Sequence, residues 1–381
     1  MTTNNTFRWW VVVCLLLATV SLNAQEHKTL REWGFPTGIF ETGQYNAITD
    51  VPGVTVGHVT CTEGDSIRTG VTAIVPHQGN IFRNKVPAAI YVGNGFGKLA
   101  GVTQVRELGN IETPVILTNT LSVAAGMEGA IRYTLMQPGC ERENSVNAVV
   151  GETNDGRLNK IRQMYVTPEM VIDAIRNAHG GPVEQGNVGA GTGTICFGFK
   201  GGIGTSSRVL PESLGGYTIG VLVQTNYGGI LEIDGVQVGQ KLQKHDFIDH
   251  VRKTENVDGS CMMVVITDAP LDSRNLERVA KRAMMGMAKT GGIASNGSGD
   301  YVIALSVAPE NLINDKAKTL TTTVLANSQM SPIFAATIEA TAEALWNSLF
   351  MAESMTGRNG YHVDALPVQQ VLEMLSHSHG H

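Results

Sequence analysis

The 44 glycines of this sequence stand singly or in pairs between short apolar runs, with no collagen period and no low-complexity tract. Glycine supplies positive φ and close backbone approach without steric cost, so this spacing predicts many short strands joined by tight turns. β-branched residues alternating with turn formers mark strands over 46–57 and 70–76, and shorter β-rich runs follow at 88–92, 114–117 and 148–151. Unbroken apolar character at 217–226 and 260–267 predicts fully buried strands, with one more at 300–307. Helical spacing of apolar residues appears at 122–135, 167–178, 273–289 and 331–350; the second opens on Thr167-Pro168-Glu169 and stops before Gly180-Gly181. The mixture predicts α/β sheets covered by helices rather than a β-sandwich, and no internal repeat is visible.

Both ends read differently from the middle. Residues 11–20 are apolar, preceded by Arg8 and followed by Ser21-Leu22-Asn23-Ala24, the pattern of a secretory signal peptide over 1–24 cleaved after Ala24. The run is too short for a membrane anchor, which needs about 20 apolar residues. The expectation is a periplasmic or secreted protein with no membrane attachment once the leader is gone. About 357 residues then remain, enough for one large domain with a well-buried core. Residues 371–381, with His377, His379 and His381, read as a disordered tail whose histidines bind metal weakly at most.

Composition excludes several classes of function. A net charge of -6 gives no electrostatic case for nucleic acid. Cys61, Cys140, Cys196 and Cys261 are too irregularly spaced for a zinc site, leaving either one or two disulfides or free buried thiols. Asn94-Gly95-Phe96-Gly97 lacks the spacing of a dinucleotide loop, so neither metal nor cofactor is expected.

Chemistry concentrates where a polar, charged stretch over 253–259 runs into Ser260, the first residue of a buried strand. Self-cleavage needs a hydroxyl able to attack the preceding carbonyl, an unhindered residue before it and a rigid element holding it. Gly259, Ser260 and the strand supply all three. Alone, Gly-Ser before a strand is ordinary turn chemistry. The ordered series Asn46 to Val54, Val56-Gly57-His58, Arg68 to Ile74, Asn94 to Lys98, Glu112-Thr113-Pro114, Leu117 to Thr120, Glu152 to Asp155, Gln224 to Gly228, Gly259-Ser260 and Gly297 to Asp300 is not ordinary. Over residues 38–366 the chain resembles the DmpA/BapA-type family of N-terminal-serine aminopeptidases, the L-aminopeptidase/D-esterase family.

That resemblance implies a four-layer αββα fold in a single catalytic domain, cut between Gly259 and Ser260 into an α chain (25–259) and a β chain (260–370) that assemble as αβ pairs, four pairs to the oligomer. It implies that Ser260 is nucleophile and, through its new α-amine (pKa about 7.7 to 8.0), general base. It makes Ser298 and Asp300 a Ser-x-acid pair, with the shorter Asp300 where some relatives carry Glu, and Asn226 an oxyanion donor. Glu152 takes the substrate's free amino group, since an unpaired ammonium in a dry pocket is costly. Asn154 falls where some relatives use a tyrosine, and Asn119 and Asn94 are either pocket-lining groups or buried structural amides. The implied substrates are small peptides, amino-acid amides or esters. The other readings weighed are an ornithine-acetyltransferase-like acyl transferase, which typically cleaves itself before threonine, and an exported small-molecule binding protein without chemistry.

Overall fold

The computed structural model describes residues 27–248 and 259–379; the leader predicted over 1–24 and residues 253–258 of the polar stretch lie outside the described residues. In chain order the long strands are β1 (Thr55–Glu63), β2 (Ile67–Val75), β3 (Asn84–Gly95), β4 (Val115–Asn119), β5 (Val149–Thr153), β6 (Ile203–Val209), β7 (Thr218–Asn226), β8 (Ser260–Thr267) and β9 (Gly299–Ser306). The helices that cover them are α1 (Val123–Leu135), α2 (Pro168–Arg176), α3 (Ser273–Lys289), α4 (Met330–Phe350) and α5 (Val368–His379). Side-chain caps fix the starts of two of them. The Thr167 hydroxyl accepts from Met170 N–H ahead of α2, and the Asp272 carboxylate accepts from Asn275 N–H ahead of α3.

Two mixed sheets result. One runs β1-β2-β4-β5 with the short strand Leu99–Ala100 at its edge, the other β6-β7-β8-β9-β3. In each sheet the first pairs are antiparallel, while β4 with β5, and β8 with β9, are parallel. A parallel pair needs a covering crossover, and α1 and α3 provide one each. A second helix then returns over the antiparallel hairpin, α2 over β1 and β2, α4 over β6 and β7. With β3 set aside, the order strand-strand-strand-helix-strand-helix therefore occurs twice, a repeat of topology that the sequence does not display.

Alternation along the central strand separates two cores. Met262, Val264 and Ile266 of β8 pack among residues of the first sheet, including Val71, Ile116 and Val150. Cys261, Met263 and Val265 face the layer of α3, α4 and α5. Burying each such side chain contributes about 1.5 to 3 kcal/mol, so a strand with both faces covered is firmly held. This is the αββα arrangement implied by the resemblance.

Three expectations change and one open choice is decided. Residues 46–57 are not one strand: Ile48–Asp50 is a turn of 3-10 helix, with Asp50 accepting from Tyr45 and Ala47 N–H, and β1 begins only at Thr55. β6 has no counterpart among the predicted strands, because its run Gly-Thr-Ser-Ser-Arg reads as polar although it is buried. The tail expected to be disordered over 371–381 is helical to His379. Val371 and Leu375, one turn apart, are fully buried in the core beside α4, which holds the segment in place. The cysteines take the second of the two options: Cys61, Cys140, Cys196 and Cys261 are free and buried.

The polar strand β6 carries a buried ionic cluster. Arg208, inaccessible to solvent, meets Glu343 at 2.7 Å and Glu339 at 3.1 Å on α4, and Arg31 meets Glu343 at 2.9 Å. Burial pushes the Glu343 carboxyl up, but Arg31 and Arg208 outweigh this and hold it below the ordinary carboxylate range. Removing one member of a buried pair leaves an uncompensated charge, at a cost of about 3 to 5 kcal/mol. Glu343→Ala is therefore expected to lower the unfolding free energy of an uncleaved Ser260→Ala chain by that amount in urea titration, whereas a loss under about 1 kcal/mol would show the cluster to be dispensable.

Candidate active site

Ser260 opens β8 and is 5 % exposed, which places a hydroxyl at the mouth of a strand buried along its whole length. Its Oγ donates to the carbonyl oxygen of Gly259 at 2.6 Å, across the very peptide bond it would attack. The same carbonyl accepts the Gly299 N–H at 3.2 Å. Gly259 has no spare room: a Cβ there would lie 3.1 Å from the Tyr227 backbone.

Both neighbouring strands aim groups at this point. Asn226, the last residue of β7, stands opposite Ser260 in the antiparallel ladder, so the two side chains share the face between the sheets. The Asn226 amide is fixed at both ends. Its Oδ1 accepts from Ile195 N–H at 2.9 Å and its Nδ2 donates to Asn154 O at 3.1 Å, leaving the second Nδ2 hydrogen available. On the other side Gly299 is the parallel partner of Ser260, and Asp300 the partner of Cys261.

Ser298 donates to Asp300 Oδ1 at 2.7 Å, the contact expected of a Ser-x-acid pair. Alternation puts Asp300 on the helix-covered face with Val302 and Ala304, opposite the face that carries Ser260 Oγ. The pair therefore approaches Ser260 from the backbone side. Burial pushes the Asp300 carboxyl up to about 6, with the Ser298 hydroxyl and the Cys261 N–H pulling the other way. Among the described residues Oδ2 makes no hydrogen bond.

A cleft of about 330 Å³ opens in front of Ser260, bounded among others by Phe96, Lys98, Thr120, Glu152 and Asn154. Glu152 is buried; its Oε1 accepts Lys98 N–H at 3.0 Å and its Oε2 accepts the Thr120 hydroxyl. Asn154 is at the rim, its Oδ1 held by Gly156 N–H at 2.9 Å. Asn119 does not line the cleft. It donates to Thr69 Oγ1 at 2.8 Å and accepts from Leu121 N–H at 3.1 Å, so it is a structural amide. Asn94 holds the loop before Asp300 by donating to the carbonyls of Ser295, at 3.0 Å, and Ser298. Lys98, Thr120 and Tyr301 had no role assigned from sequence. The first two lie inside the matched stretches, and no spacing marks them out as cleft residues.

Residues 46–363 match the model of peptidase family S58. The chain belongs to that family. It is 37% identical to the beta-peptidyl aminopeptidase BapA of Sphingosinicella microcystinivorans, over 96% of both chains. Among solved structures it superposes on a Burkholderia sp. beta-aminopeptidase with TM-score 0.84 and 37% identity, covering 92% of this chain and 99% of the other. The L-aminopeptidase D-Ala-esterase/amidase of Ochrobactrum anthropi, described as a variant of the Ntn hydrolase fold, gives TM-score 0.83 and 34% identity, covering 92% and 98%. This S58 member is thus a hydrolase, an aminopeptidase of the N-terminal-nucleophile type. The acyl-transferase and non-catalytic readings find no support in these likenesses.

Asp300 gives a pH test of the uncleaved S58 chain. Its carboxyl titrates at about 6 when folded against an ordinary 3.8, so the fold favours the neutral form. The stabilisation is complete below the ordinary value and is lost as pH rises through about 6. Asp300→Asn should flatten the fall in stability between those limits, relative to the parent chain, in melting curves recorded across that range. An unchanged difference between the two proteins at all pH values would show that Asp300 does not titrate there.

Proposed function

We propose that the chain cleaves itself between Gly259 and Ser260 and then uses Ser260 to remove N-terminal residues from small peptides, amino-acid amides or esters. The observation that carries this is the 2.6 Å contact between Ser260 Oγ and the Gly259 carbonyl at the head of a strand buried along its whole length. Oγ attacks the Gly259 carbonyl carbon while Gly299 N–H steadies the developing oxyanion. The C–N bond breaks, its nitrogen takes up the proton released by the hydroxyl, and water hydrolyses the resulting ester. The products are an α chain ending at Gly259 and a β chain beginning with Ser260.

The free α-amine then becomes the general base that the uncleaved chain lacks. The unpaired Oδ2 of Asp300, lying on the backbone side of Ser260, supports a role in orienting that amine, with Ser298 fixing the carboxylate. In turnover the substrate ammonium pairs with Glu152, the scissile carbonyl sits over Ser260, and Asn226 donates its remaining N–H to the oxyanion. Asn154 positions Asn226 through its carbonyl oxygen. Because Glu152 shares the cleft with Ser260, the recognised amine and the broken bond are held close together, which restricts hydrolysis to the first residue.

The names of the relatives suggest β-peptidyl bonds or L-aminoacyl and D-alanyl bonds as substrates. Export by the leader over 1–24 to the periplasm or medium, and assembly of αβ pairs into a homo-oligomer, complete the proposal; they rest on the leader's composition and on the family resemblance. No helix among the described residues is long and apolar enough to cross a membrane.

Ser260→Ala should migrate as one chain on a denaturing gel and show no aminopeptidase activity, while the parent gives two chains, the smaller starting Ser-Cys-Met-Met on N-terminal sequencing. Full processing of the variant would overturn the assignment. Asn226→Ala should process but lose about 10² to 10³ in kcat, as expected for one oxyanion donor. An undiminished kcat would remove Asn226 from the mechanism.

A further inference from the structure

The carboxylate that meets the substrate amine already has a cation beside it. Lys98 Nζ stands 3.7 Å from Glu152 Oε1, too far for the charge-assisted hydrogen bond of about 2.7 to 2.9 Å. The two partners differ sharply in exposure, 3% for the Glu152 side chain against 55% for Lys98. Glu152 is fixed in place by Thr120 and by Lys98 N–H, while no hydrogen bond from Lys98 Nζ is made among the described residues, so its three donors remain open.

An ammonium bound at Glu152 therefore arrives next to a second ammonium. For an ordinary first residue this is a like-charge contact. It becomes favourable when the carbon bearing the amine also bears a carboxylate, because Lys98 then has an anion of its own. Among N-terminal residues that condition is met where the first amino acid is joined through its side-chain carboxyl and keeps both its α-amine and its α-carboxylate. In a β-aspartyl peptide, such a residue is a β-aminoacyl group with a carboxylate on the β-carbon, the bond type in the name of the relatives.

Lys98, Glu152 and Ser260 line the same cleft. A Cβ at Gly97 would lie 3.1 Å from Glu152 Oε1 and 3.4 Å from Tyr301 Cε2, and a Cβ at Gly299 3.1 Å from Tyr301 Cε2 and 3.2 Å from Ser260 Oγ. Two glycines thus clear a short passage with the Tyr301 ring against both ends.

We propose that Lys98 and Glu152 form a two-point site for an amino-acid zwitterion, and that β-aspartyl peptides are preferred substrates. The proposal rests on the reading of this cleft as an aminopeptidase site. Ser260 Oγ bonds to the side-chain carbonyl carbon, the amide C–N bond breaks with the leaving amine taking a proton, and water releases free aspartate.

The test compares kcat/KM of the processed enzyme for β-aspartyl-glycine and β-alanyl-glycine, which differ only in the carboxylate. The expected preference for β-aspartyl-glycine is about tenfold, shrinking as salt rises from low to about 0.5 M because Lys98 is exposed. Lys98→Met should abolish the preference and Lys98→Arg retain most of it. Wild-type enzyme that favours β-alanyl-glycine, or a preference indifferent to salt and to Lys98→Met, overturns the two-point site alone. Failure to cleave either dipeptide or any aminoacyl amide would instead overturn the aminopeptidase reading on which it rests.

Discussion

The organisation of this protein depends on one strand, Ser260–Thr267, which is hydrogen-bonded on both sides and covered on both faces. A hydroxyl at the start of such a strand has almost no freedom. Antiparallel pairing with β7 sets Asn226 beside it, and parallel pairing with β9 sets Gly299 and Asp300 beside it, each by register rather than by any long-range reach of side chains. A slip of one residue in either ladder would turn Asn226 or Asp300 to the wrong face. The two cores, one between the sheets and one under α3, α4 and α5, make that slip costly.

The same alternation divides labour between the two faces. The Ser260 hydroxyl, the Asn226 amide and the Glu152 carboxylate lie on the side of the first sheet, where the cleft opens. The Ser298–Asp300 pair lies on the helix-covered side, Asp300 being the ladder partner of Cys261. Ser260 Oγ and the Asp300 carboxyl are therefore set on opposite faces of the sheet.

Strong polar investments elsewhere serve position rather than chemistry. Arg208, Glu339, Glu343 and Arg31 bind β6 and α4 to the N-terminal segment. Gln224, inward-facing on β7, donates to Thr118 O at 3.0 Å and Thr153 Oγ1 at 2.9 Å and so ties the second sheet to the first beside the cleft. Buried networks of this kind specify one arrangement because an unpaired member is expensive. They hold fixed the distance between Glu152, which belongs to the first sheet, and Ser260, which belongs to the second.

The sequence by itself determined the strongly patterned elements, and through family resemblance it set the expectation that Ser260 is the nucleophile. Ser260–Thr267 and Ser273–Lys289 were legible to the residue because unbroken apolar runs and a capped helical repeat are local signals. Gly259, Ser260, Asn226, Ser298, Asp300 and Glu152 entered as candidates through family resemblance, and Asn119 was left between two roles that its hydrogen bonds now decide. The polar strand β6 and the helical tail were missed, since a buried arginine declares itself only with its glutamates in view, and two valines and a leucine beside a run of histidines gain meaning only from the core they enter. What tertiary structure alone decided is which groups face one another: that Asp300 and Ser260 Oγ lie on opposite faces, and that Lys98 stands beside Glu152. These residues are far apart in the chain, and only the register of the sheets and the closing of one sheet on the other bring them within range.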